Sequence, residues 1–215
     1  MTRARTRVRQ AVVVIAAVMA GSSSSAQTQT QFLIRKGKDT VAVERFTRDG
    51  PTLSGTITQS NGLRSEYVAN LRADNTVEHM EMSRQGTQGP AALMSIDFVD
   101  TLVKASVTGG PQPVNLTLRT SMKPLPFLIQ SFALAEQIVK ASHPTAGQTV
   151  RWTAIRLGAG DTASLSVARV HADSVVISVP QGDLRMAVNQ AGEVLGAAFA
   201  PQQWVIERSK VAAKP

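Results

Sequence analysis

Short runs in which apolar and polar side chains alternate, each closed by a turn signal, recur along most of this chain. Val41, Val43 and Arg45 alternate with Ala42, Glu44 and Phe46 up to Asp49-Gly50-Pro51. Leu53, Gly55 and Ile57 alternate with Thr52, Ser54, Thr56 and Thr58 up to Asn61-Gly62. A period of two places the two sets on opposite faces of a strand. Asn-Gly supplies the two positive-φ positions that a tight hairpin needs. The return strand puts Leu63, Tyr67, Ala69 and Leu71 on one face and Arg64, Glu66 and Asn70 on the other, and Asp74-Asn75 turns the chain again. Further turns fall at Gly158–Asp161, Ala172-Asp173, Gln181-Gly182 and Gln190–Gly192. Strands at this spacing, joined by tight turns, describe an antiparallel meander. Parallel pairing needs helical crossovers, and the spacing leaves no room for them.

One stretch breaks the alternation: PLPFLIQSFALAEQIVKASHP, residues 124–144. Pro124 and Pro126 suit a helix entrance and Ser142-His143-Pro144 an exit, which predicts a helix near 126–142. At 100° per residue, Phe127, Leu128, Phe132, Leu134, Ala135, Ile138 and Val139 cover a broad apolar arc, with Gln130, Glu136, Gln137 and Lys140 opposite. Leaving the large apolar side chains of this segment wet would forfeit on the order of 10–20 kcal/mol. The helix must therefore dock, and the inner face of a curved meander is the natural host. The expected fold class is mainly β (β-rich α+β), a curved antiparallel meander or half-barrel packed around one amphipathic helix.

Compartment is written at the N-terminus. Arg3, Arg5, Arg7 and Arg9 precede the apolar run Ala11–Ala20, and Ser24-Ser25-Ala26 offers small residues for cleavage, the build of a secretory signal over residues 1–26. An apolar helix of that run reaches only about 15 Å, short of a bilayer core of about 30 Å, so no stable membrane span is expected after cleavage. The chain has no cysteine, hence no disulfide framework and no lipid-acceptor thiol. A periplasmic or secreted location follows. Residues 27–210 are expected to form a single β-rich domain held by burial alone, with 211–215 a disordered tail. Without the four leader arginines, the 23 basic side chains fall to 19 against 15 acidic ones. That small surplus is dispersed apart from Arg35-Lys36-Gly37-Lys38, read as a solvated hairpin turn, and the few aromatics do not interleave with basic runs. A nucleic-acid partner is not expected.

Candidate chemistry is sparse. In VEHMEM, residues 77–82, strand alternation groups His79 with Val77 and Glu81, and Met80 and Met82 with Glu78. Histidine and thioethers then point apart, which is poor geometry for one soft metal ion, so neither metal nor cofactor is expected. His79, His143 and His171 lie in no metal or nucleophile motif, and no nucleophile elbow or phosphate-binding loop occurs. Asp97 and Asp100, a conceivable carboxylate pair, fall on opposite faces of a strand. A non-catalytic role is expected, with a hydrolase carrying a dispersed, unrecognised site as the least favoured alternative.

FLIRKGKDTVAVERF, followed by hairpins, a hydrophobic helix and terminal strands, resembles a group of uncharacterised exported bacterial β-meander proteins. Their F-x-I-x-x-x-G-x-x-x-x-x-E-x-F-like opening is approximated by Phe32, Ile34, Gly37 (one residue early), Glu44 and Phe46, and their closing strand by Gly192, Val194 and Gly196. The arrangement is also similar to the half-barrel of periplasmic lipoprotein and lipid carriers, from which no site residue carries over; the surplus apolar width of the helix points to an apolar cleft between helix and sheet. Phe127, Leu128, Phe132, Met80, Met82 and Trp152 are the candidate lining of that cleft. A lipid or other hydrophobic small molecule is the expected ligand. The alternative is a structural or interaction module that meets an envelope protein.

Overall fold

The computed structural model of this chain describes residues 28–86, 91–109 and 112–212. The signal-type segment and residues 213–215 lie outside them. One continuous sheet of 15 strands runs through the whole described chain. Its first half is β1 (Thr28–Lys36), β2 (Asp39–Asp49), β3 (Thr52–Gln59), β4 (Arg64–Leu71), β5 (Val77–Gln85), β6 (Ala92–Val99), β7 (Leu102–Thr108) and β8 (Val114–Arg119). Then come β9 (Pro124–Phe127), the helix α1 (Phe132–Ser142), β10 (Thr149–Arg156), β11 (Asp161–His171), β12 (Ser174–Val179), β13 (Gly182–Val188) and β14 (Val194–Phe199). A 3-10 turn at Ala200–Gln202 leads into β15 (Trp204–Ala212).

The spatial order runs from β8 down to β1, then β15 down to β9. Each half is thus a meander of hairpins, and the halves join where β1 pairs antiparallel with β15, Thr28 opposite Ala212 and Lys36 opposite Trp204. The two free edges are β8 and β9, and the curved sheet is not closed between them. One face of every long strand is buried, as in the alternating burial of Ser65, Tyr67, Ala69 and Leu71 along β4.

The turns divide between two rims. The upper rim carries Gly37 and Asn61-Gly62 of the first half and the β10–β11 turn of the second. The lower rim carries Gly50, Asp74-Asn75, Asp173 and Gly192. Gly37 and Gly62 have φ of 61° and 83°, the left-handed region the hairpin turns demand.

Helix α1 threads the concave side from the upper rim to the lower. Phe132 through Val139 are all buried, Glu136 and Gln137 included. The helix therefore has no wet face along that stretch, where the sequence placed Glu136, Gln137 and Lys140 on a polar side. Burying Phe132, Leu134, Ile138 and Val139 contributes roughly 6–12 kcal/mol, against Phe32, Leu165, Val167 and other inward strand residues.

The helix is shorter than the expected 126–142. Residues 124–127 are extended and pair parallel with β10, Pro124 opposite Thr153 and Phe127 opposite Arg156. The prolines are the reason. The Phe127 carbonyl accepts from the Leu157 N–H at 3.0 Å, so Phe127 and Leu125 direct their main-chain groups at β10. Pro124 and Pro126 then turn to the side on which β9 has no strand partner, buried but with no ladder bond that a missing N–H would break. This β9–α1–β10 crossover also corrects the expectation of a wholly antiparallel sheet. The strand after the 3-10 turn extends through Ala212, two residues past the expected domain end.

Candidate functional site

Glu44 is the residue that locks α1 in place. Its position on β2 is in phase with Ala42 and Phe46, so its carboxylate points into the barrel interior, fully buried. There it meets the helix N-terminus: Glu44 Oε2 accepts from the Phe132 N–H at 2.6 Å and the Ala133 N–H at 3.1 Å. Glu44 Oε1 accepts from Ser131 Oγ at 2.6 Å and Tyr67 Oη at 2.8 Å. Ser131 is the N-cap, and its Oγ also accepts from the Leu134 N–H at 3.2 Å. An anion here is favoured by the unpaired N–H groups and the positive end of the helix dipole. Burial acts in the opposite sense and dominates, raising the Glu44 pKa to about 7 against the lowering effect of its hydrogen bonds. Burial, together with the neighbouring Glu44 charge, likewise pushes the Tyr67 hydroxyl above its usual range. Acid, hydroxyl and phenol thus converge, but they touch no opening to solvent; their physical work is to cap a buried helix.

The far half of α1 is tied down by Glu136. Its Oε2 accepts from Arg208 Nη1 at 2.6 Å and from the Val194 N–H at 3.0 Å, and its Oε1 from Lys140 Nζ at 2.7 Å. The Arg208 guanidinium lies over the Phe32 and Phe46 rings at 5.6 and 5.9 Å, a cation–π contact in a dry setting. Helix, β14 and β15 are held by one charge cluster.

With the helix packed on every side, no cleft runs along it. Met80 and Phe132 are completely buried and line no recess, and Trp152 is packed against the core. Two recesses lie at the upper rim, around the Leu128–Gln130 connection that leads from β9 into α1. A recess of about 610 Å³ is bounded by Ile57, Met82, Met94, Val107, Leu128, Ile129 and Leu157, with Gln59, Ser65, Arg84 and Gln130 supplying polar groups. Gln59 Nε2 donates to Gln130 Oε1 at 2.6 Å, a clasp across this mouth. A neighbouring recess of about 360 Å³ lies on the other side of Leu128 and Ile129, with Phe127, Phe199 and Trp204 in its wall. Of the sequence candidates, Leu128 belongs to both recesses, Met82 to the larger and Phe127 to the smaller. Phe132, Met80 and Trp152 belong to neither, because they fill the core that the helix and sheet share. A wider hollow of about 770 Å³ at the lower rim is lined by Arg48, Lys140, His143 and Arg169 together with Val139, Pro144 and Ala191.

VEHMEM is a strand, with one departure from simple alternation. Asn70 pairs with His79 but Leu71 with Val77, so Glu78 is an extra residue in β5. This bulge turns Val77 into the core beside Met80 and Met82, away from His79, with which alternation had grouped it. His79 stays on the convex face with its Nδ1 2.7 Å from Asp97 Oδ1 and Nε2 3.6 Å from Glu81. Asp100 sits apart, in the β6–β7 turn at φ 49°. Among the described residues no group of three or more His, Asp or Glu side chains is arranged to hold a metal ion.

Geometry of this kind defines a class: a large, unclosed, barrel-like antiparallel sheet wrapped around a single buried helix. A solved structure has a similar fold. The chain is similar to a DUF1089 family protein from Pseudomonas aeruginosa, with 12% identity over 73% of this chain and 89% of that one, at a TM-score of 0.58. It is also similar to a β-barrel-like protein of domain of unknown function DUF1849 from Brucella abortus, with 8% identity over 86% and 95% of the two chains, at a TM-score of 0.49. The former likeness establishes a shared fold and nothing about activity. No family model matches the sequence, and no curated protein does.

Proposed function

We propose that this is an exported, non-catalytic protein that binds a lipid or other hydrophobic ligand at the upper rim of its half-barrel. The observation that carries the proposal is the 610 Å³ recess beside Leu128 and Ile129. Its walls are mostly apolar, while Arg84, Gln59 and Gln130 stand among them as polar groups, the composition that suits an acyl chain with a polar head. On this reading the ligand sits above the helix N-terminus, not along the helix. Export rests on the leader-like residues 1–26. No helix among the described residues is long and apolar enough to cross a membrane.

The test is native mass spectrometry of the purified protein, before and after addition of palmitate. A co-purifying lipid, or a palmitate adduct that Leu128→Glu removes while the circular dichroism spectrum is kept, is the expected result. A bare protein that takes up no palmitate would end the proposal.

A further inference from the structure

The sheet has two free edges, and they are built in opposite ways. At β9, Pro124 and Pro126 turn their main chain away from β10 and are themselves buried, so that edge offers neither an N–H nor open access at either position. At β8 no proline falls within the strand. The Thr120 N–H donates to the Thr101 carbonyl at 2.8 Å, which fixes the parity of the strand. Leu118, Leu116 and Val114 share that parity and direct their main-chain groups at β7, opposite Val103, Ala105 and Val107. Asn115, Thr117 and Arg119 therefore hold free N–H and C=O groups along the outer edge. Among the described residues no strand pairs with that side of β8.

Side chains repeat the message. Val114, Leu116 and Leu118 form an apolar row on the concave face, and Val114 is 56% and Leu116 36% exposed. An open edge with an uncovered apolar row is a template for strand addition, which natural sheets ordinarily guard against.

We propose that β8 pairs antiparallel with β8 of a second copy, giving a two-fold dimer with one continuous sheet. The β8 edge is its own complement. Centring the axis on Leu116 sets Leu116 against Leu116 of the second copy and Val114 against Leu118 in both directions. In the same register, Asn115 and Thr117 exchange paired N–H···O=C bonds, and the Arg119 N–H meets the Pro113 carbonyl. Charge selects the direction. Arg119 is the one charged residue of the strand. Antiparallel pairing separates the two arginines by about 20 Å, well beyond a Debye length of about 8 Å, whereas parallel pairing sets them side by side. The proline-lined β9 edge disfavours head-to-tail pairing of β8 with β9 of another copy, which would run on as a filament; the isologous contact closes.

The absence of cysteine makes the test clean. Leu116 and its symmetry mate form a non-hydrogen-bonded pair with Cα atoms about 4.5 Å apart, within the roughly 4.4–6.8 Å that a disulfide spans. Leu116→Cys should therefore cross-link to a dimer under mild oxidation. Thr117→Cys, whose symmetry mate lies about 9 Å away, should not. Sedimentation of the unmodified protein should show a reversible dimer. Thr117→Pro, which deletes an outward N–H and leaves the bonds to β7 intact, should yield a folded monomer by circular dichroism. A monomer at all concentrations up to roughly 100 µM, cross-linking through residue 117 in place of 116, or a Thr117→Pro protein that still dimerises would each overturn the proposal.

Discussion

Glu44 shows how much of this fold hangs on one side chain that propensity rules pass over. A helix N-terminus in a protein interior must find acceptors for its first N–H groups. The local sequence offers Ser131 but no Glu or Gln at Leu134 to complete a capping box. The acceptor comes instead from β2, some 88 residues away. The one clue in the sequence is phase: a glutamate alternating in register with Ala42 and Phe46 is a charge on the buried face of a strand, and such a charge needs a partner. Its raised pKa, about 7 against an ordinary 4.5, has a definite sign. The folded state holds a proton between those values that the unfolded chain has released, so the Glu44 contribution to stability is full below about pH 4.5 and is lost as pH rises through 7. The size is about 3 kcal/mol from linkage. Urea denaturation at pH 5 and pH 7.5 should show this loss in the wild-type protein and not in Glu44→Gln. Glu44→Ala, which strands several buried donors, should cost about 3 kcal/mol or more at either pH. Gly55 guards the same cluster: a Cβ there would sit 2.4 Å from Tyr67 Oη. Gly55→Ala should destabilise by about 1–3 kcal/mol, measured the same way, because the phenol must leave Glu44 or the strand must shift.

At the scale of elements, period and punctuation carried the hairpins. The Asn61-Gly62, Asp74-Asn75, Ala172-Asp173 and Gln181-Gly182 signals all sit between paired strands. The ends of α1 were harder, because Phe127, Leu128 and Ile129 are as apolar as a helix interior and a short buried strand would be. What decides between them is the alternation of Pro124 and Pro126, which satisfies an edge strand and wastes a helix. The recess at the upper rim was hidden for a related reason. Residues that line it from β3, β5, β6 and β7 are ordinary inward strand residues, and only the departure of the chain at Leu128 leaves them uncovered. The bulge at Glu78 is a pairing irregularity that a single strand read alone does not reveal. Helix docking makes its own prediction. Arg208, part-buried against Phe32, Phe46 and Glu136, loses its only buried carboxylate partner in Glu136→Ala, which also frees the Val194 N–H. The expected cost is about 3–5 kcal/mol. Amide hydrogen exchange should show faster exchange confined to α1, β14 and β15, while a variant that merely loses helix propensity would leave β14 unaffected.

For the molecule as a whole, the decisive event is the meeting of the chain's two halves. Every strand pair but one is between sequence neighbours or bridges a single helix; the exception is β1 with β15, whose partners stand at opposite ends of the described chain. No alternation pattern encodes that contact, because it is a matter of which two strand edges remain once the hairpins have formed. It has a kinetic consequence, since closing so long a loop precedes any reward from the contact and slows folding. Thr28 and Ala212 are opposed in the ladder, so their backbones are about 5 Å apart. A circular permutant that joins residue 212 to residue 28 through a short Gly-rich linker, and opens the chain between Ser121 and Met122, converts this distant pair into a hairpin. The new ends fall between β8 and β9, at the unclosed side of the sheet, where no ladder is cut. Stopped-flow refolding of the permutant should be faster than that of the wild-type residues 28–212, with a sheet-type circular dichroism spectrum preserved. Equal rates would mean that the β1–β15 pairing forms after the rate-limiting step, and loss of the fold would mean that the link between β8 and β9 is itself part of what holds the two halves together.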